Sequence, residues 1–105
     1  MNIYKVTRSE ITVTHKRGKA VNVETNLLTS LWSDHEKALK HALWHSEDLQ
    51  YIANQYKVAQ VTGEPYKNVY IRVDEYKEEN GRFVLLLNGT QHVAEVEDGE
   101  IYPQI

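Results

Sequence analysis

The chain reads as a single α+β domain spanning residues 1–105. It is expected to hold an N-terminal β-hairpin, one long or bent helix over about 34–57, and an antiparallel meander of three to four strands packed on that helix. Three observations predict this. Residues 69–101 are rich in Val, Ile, Leu and Tyr and are punctuated by Asn80-Gly81, Asn88-Gly89 and Asp98-Gly99, dipeptides that tolerate the positive φ of tight hairpin turns. Ser33-Asp34-His35-Glu36 is a helix-start signature placed before apolar residues at helical spacing. All five glycines (18, 63, 81, 89 and 99) fall at predicted turns and none inside a predicted element.

In chain order, Ile3 to His15 alternates loosely and is rich in Thr, Val and Ile. His15-Lys16-Arg17-Gly18-Lys19 is a polar turn, and Ala20 to Thr25 alternates again, so residues 2–25 are assigned to a hairpin. Asn26 to Trp32 is then a connector. Ser33 is assigned as the helix N-cap, with Glu36 reaching back to its amide. Ala38, Leu39, Ala42 and Leu43 give one apolar face, and Leu49, Ile52, Ala53 and Tyr56 give a displaced one. Ser46-Glu47-Asp48 between them predicts one bent helix or two short ones. Gly63-Glu64-Pro65 is a breaker.

In the meander, a three-residue loop Glu79-Asn80-Gly81 aligns Phe83, Leu85 and Leu87 with Val69, Ile71 and Val73. A two-residue Asn80-Gly81 turn sends them to the opposite face. The apolar pattern favours the three-residue loop, followed by a second hairpin at Asn88-Gly89. The inner face then holds His92, Ala94 and Val96 as well, and the outer face holds Tyr70, Arg72, Asp74, Tyr76, Arg82, Val84, Leu86, Val93 and Glu95. The run Phe83 to Leu87 is apolar on both faces. It therefore calls for a cover on each side: the helix on one, and the N-terminal hairpin, a second copy or a partner on the other.

There is no cysteine, which excludes disulfides and thiolate metal sites. Without a signal peptide or long apolar run, the chain is expected to be cytoplasmic and not membrane-bound. The net charge of −3 is uneven. Residues 1–20 carry five basic side chains against one acidic, and residues 74–100 carry eight acidic against two basic.

Chemistry-bearing motifs are sparse. His41 and His45 are spaced i, i+4, as in helical metal sites, but Ala42 stands where a His-Glu-x-x-His glutamate belongs, and Glu47 or His92 would have to converge from elsewhere. No metal, cofactor or catalytic residue is therefore assigned. A metal- or ligand-binding protein or enzyme using His41, His45 and His92 stands as an alternative. Tyr4, Lys5, Arg8, His15, Lys16, Arg17 and Lys19 suggest a second alternative, a nucleic-acid-binding hairpin, which the sequence pI near 5.9 disfavours.

The leading expectation is a non-enzymatic protein-binding module, with a homodimer seam as a variant. Its partner-binding residues are Tyr70, Tyr76, Val84, Leu86 and Val93 on the outer face, the acidic turn residues Glu78, Glu79, Glu97 and Glu100, and Trp44, which lies off both apolar helix faces. Size, acidity and absence of cysteine are those of phage-encoded inhibitors of host enzymes or defence systems, which would place it in the host cytoplasm facing a partner with a basic surface.

Overall fold

The computed structural model describes residues 1–103. The elements are β1 (Asn2–Lys16), β2 (Lys19–Trp32), α1 (His35–Trp44), α2 (Leu49–Thr62), β3 (Tyr66–Glu79), β4 (Arg82–Glu97) and β5 (Glu100–Tyr102). All five strands form one antiparallel sheet in the order β2-β1-β3-β4-β5, and the bent helix formed by α1 and α2 packs on one of its faces. The expected order of hairpin, bent helix and antiparallel strands is thus the observed one.

Strand pairing explains which residues meet the helices. Val6 lies opposite Val73, and Val69 and Ile71 lie opposite Val96 and Ala94. These side chains bury against Ala38, Ala42, Leu49, Ile52 and Ala53. The alanines let the helices approach the sheet closely, and each buried valine or isoleucine contributes roughly 1.5–3 kcal/mol. A smaller cluster of Val13, Ala59 and Tyr66, with Tyr56 against it, closes the far end of α2.

Several local expectations change. The connector at 26–32 is strand, because Asn26 to Trp32 pairs continuously with Glu10 to Tyr4 of β1. The N-cap is Asp34, not Ser33: its carboxylate accepts from the amides of Glu36 and Lys37 at 2.9 and 3.3 Å. The helix breaks at residues 45–48 as the polar insert suggested. α2 then runs beyond residue 57 to Thr62, absorbs Val58 to Val61, and stops at Gly63 in the left-handed conformation (φ 76°).

The largest change is in register. The β3–β4 turn has two residues, with Glu79 opposite Arg82, and Asn80 (φ 50°) and Gly81 (φ 79°) both left-handed. Phe83, Val84, Leu85 and Leu87 are all exposed, so no burial selects a register at this tip and the turn chemistry decides. The stretch Leu86 to Gly89 does not form a second hairpin. It bulges out opposite Glu75, and pairing resumes at Asp74 with Thr90, so β4 is one strand. Asn88 alone is left-handed there (φ 59°), whereas a type I′ turn needs both central residues in that region.

The N-terminal hairpin lies in the plane of the sheet rather than over it, since β1 pairs with β3 along Asn2 to Val13. Strands of 14–16 residues at about 3.3 Å per residue make the molecule long, 52 × 28 × 19 Å. Its radius of gyration is 16.0 Å, against the roughly 13 Å of a rounded domain this size.

Candidate functional site

The face of the sheet opposite the helices carries no covering element among the described residues. Strand pairing defines its rows: Ile3, Tyr76 and Leu85; then Leu31, Lys5, Asp74 and Thr90; then Thr29, Thr7, Arg72 and His92; then Leu27, Ser9, Tyr70, Glu95 and Tyr102. Four of its apolar side chains are well exposed: Leu31 at 68%, Leu27 at 52%, Phe83 at 50% and Leu85 at 47%.

Polar groups hold the centre of this face in place. Asp74 is buried, accepts from Arg72 Nε at 3.1 Å and from Thr90 Oγ1 at 2.6 Å, and so fixes one guanidinium over the middle strands. The hydroxyl of Thr7 is buried without a hydrogen-bond partner in the protein. One corner is acidic. Burial, helped by Glu97 and then Glu95 and Asp98, pushes the Tyr70 phenol up to about 12, and Tyr102 donates to Glu100.

The sequence-assigned residues divide. Tyr70, Tyr76, Glu78 and Glu97 belong to the uncovered face, and Glu100 lies beside Glu97 at its acidic corner. Val84 pairs with Lys77 on the opposite side, Leu86 sits in the bulge, and Val93 packs against the core under the helices. Glu79 pairs with Arg82 at the exposed tip. Trp44 is 60% exposed but on α1, in the other layer. Leu27 and Leu31 went unseen because their segment read as a connector, although Leu27, Thr29 and Leu31 alternate as one strand face. A three-residue loop sends Phe83 and Leu85 inward, and the observed two-residue turn places them on the uncovered face instead.

The helix side holds a buried ion network. Arg8 and Glu10 are only 6% and 8% exposed. Arg8 grips Asp48 with two hydrogen bonds of 2.8 Å, donates from Nε to Glu10 at 3.2 Å, and donates to the His45 carbonyl freed at the helix break. Lys67 Nζ completes it, 3.1 Å from Glu10. Arg8 is thereby removed from the predicted basic patch. Tyr4 is removed as well, because it packs against His35 and the core. His15, Lys16, Arg17 and Lys19 remain exposed around the hairpin tip.

Nearby, His41 and His45 turn toward each other with Nε2 atoms 3.1 Å apart. Trp32 and Trp44 flank His41 at ring-centre distances of 5.0 and 5.6 Å. Burial, the neighbouring His41 and Arg8 together hold His45 below the ordinary imidazole range. His92 is exposed beside Arg72 on the opposite face of the sheet, so the three histidines do not form one site. An open groove of about 780 Å³ runs between the helices and β4–β5, lined by Leu43, Ala53, Val93, Ala94 and Ile101 among others.

No helix among the described residues is long and apolar enough to cross a membrane. Comparison with family models, with curated proteins and with solved structures returned no match.

Proposed function

We propose that the chain is a non-enzymatic protein-binding module that docks a partner on the uncovered face of its sheet. The observation that carries this reading is the in-plane position of the N-terminal hairpin, which leaves Leu27, Leu31, Phe83 and Leu85 exposed around a centre ordered by Arg72 and Asp74. A sheet can face water on one side, but then its outward positions are usually polar. Here apolar and aromatic side chains share that face with a polar centre and an acidic corner, the composition of an interface with aromatic anchors and a charged rim. The partner that fits carries apolar side chains to meet Leu27, Leu31, Phe83 and Leu85, polar groups over the Arg72–Asp74 centre, and a basic edge meeting Glu95, Glu97 and Glu100. Inhibition of a host enzyme or defence protein by a phage-encoded chain is the specific form this role takes.

The test is affinity capture with the tag-free chain coupled to resin, using lysate of the producing organism and of its host, with light scattering on the chain alone. A Leu31→Glu, Leu85→Lys variant is expected to lose one stoichiometric partner, or to convert a dimer to monomer. A Leu43→Lys control on the helix side should retain it. Equal capture and equal mass for all three proteins would remove the sheet face from the binding site.

A further inference from the structure

We propose that His41 and His45 form a two-point chelate for a divalent transition ion of the zinc, copper or nickel type, where α1 meets strand β2. The two residues are one helical turn apart, and that spacing stacks side chains on a common face. Their rings stand nearly perpendicular, at 80° with centres 4.5 Å apart, and their Nε2 atoms approach to 3.1 Å. Metal–imidazole bonds are roughly 2.0–2.1 Å long. Two such bonds spanning 3.1 Å subtend about 98° at the ion, between the octahedral and tetrahedral angles. Without an ion, one Nε2–H donates to the other ring. On binding, the donor ring carries its proton on Nδ1 instead, as the acceptor ring already does, and both Nε2 lone pairs are free for the ion with no net change in protonation.

The surroundings favour a fixed pair. The Trp32 indole donates to Ser30 Oγ at 2.8 Å and lies against His41, while Trp44 stacks on His41 and meets His45 edge-on at 4.9 Å. Arg8 anchors the His45 carbonyl, which holds the last turn of α1. No group of three or more metal-ligating side chains converges among the described residues, so the remaining coordination positions belong to water or to a donor brought by a ligand. Two imidazoles select borderline ions and discriminate against calcium and magnesium, which require oxygen donors. His35, against Tyr4, and His92, across the sheet, take no part.

The chain's two tryptophans both sit against His41, so intrinsic fluorescence reads this site. The tag-free full chain is titrated with Cu²⁺ or Ni²⁺, with Mg²⁺ as control and calorimetry for stoichiometry. Saturable quenching at one ion per chain is expected, with none from Mg²⁺. His41→Asn and His45→Gln should each raise the dissociation constant by about tenfold or more, and His92→Ala should leave it unchanged. Absence of saturable binding to the unaltered chain overturns the proposal even if a variant fails to fold. Equal affinity of His45→Gln and His92→Ala, each with native circular dichroism, also overturns it.

Discussion

Arg8 on the sheet and Asp48 at the helix break form a two-pronged ion pair, Nη1 to Oδ1 and Nη2 to Oδ2, each at 2.8 Å. Asp48 precedes α2 in the N-cap position, yet its side chain caps nothing because both oxygens are committed to Arg8. The same guanidinium takes the His45 carbonyl, a group the interrupted helix leaves without an amide partner. A break between two helices is thus held by a strand residue forty positions earlier.

Replacing Arg8 by Met leaves Glu10 buried with Lys67 alone and the helix break unanchored. Removing one partner of a buried ion pair costs about 3–5 kcal/mol. Asp48→Asn should cost less, about 1 kcal/mol, because the Asp48 side chain is 50% exposed and the lost charge pairing is screened by water. Urea unfolding of the two variants against the unaltered chain checks the order. A larger loss for Asp48→Asn would refute this account of the break.

The network also sets an acid limit. Hydrogen bonding from Arg8 holds the Asp48 carboxyl below its usual range. Burial raises Glu10, but the hydrogen bonds and charges of Lys67 and Arg8 outweigh it and hold that group low as well. A depressed folded value means the unfolded chain binds protons first. The stabilisation is therefore complete above the unfolded carboxylate range of about 3.9–4.3 and is lost as pH falls through the folded values. The urea midpoint attributable to this network should be flat from pH 7 to 5 and should fall below about pH 4. In Arg8→Met the extra acid sensitivity should shrink.

Gly99 is set by two requirements at once. Its φ is 78°, and a Cβ there would lie 2.5 Å from the Tyr56 ring, whose neighbour Tyr66 bonds Asp98 at 3.0 Å. Gly99→Ala should therefore destabilise by more than about 1 kcal/mol, the ordinary cost of Ala at positive φ, because the ring must also move. Gly18→Ala has the same φ of 78° with nothing within 4 Å, and so measures the backbone cost alone. Thermal unfolding of the pair separates the two effects. Equal shifts would show that Tyr56 yields freely.

By itself the sequence determined the class and order of elements, the insert at 46–48, and the positions of the turns near Asn80-Gly81 and Asp98-Gly99, though not the length of the first. Local turn, cap and periodicity signals agree for these. The candidate face was legible only in part. Tyr70 and Tyr76 could be placed outward because β3 is regular along β1, but Phe83 and Leu85 could not, since a single residue of turn length decides their side. Tertiary structure decided three things. It set β1 beside β3, which put the hairpin in the sheet and left one face uncovered. It absorbed Leu86 to Gly89 in a bulge, sending Val93 inward. It also brought Arg8 to Asp48 and Trp32 to His41. The β1–β3 pairing and the Arg8–Asp48 contact join distant segments, where no local preference competes and the burial of Val6, Ile71, Val73 and Val96 selects the arrangement.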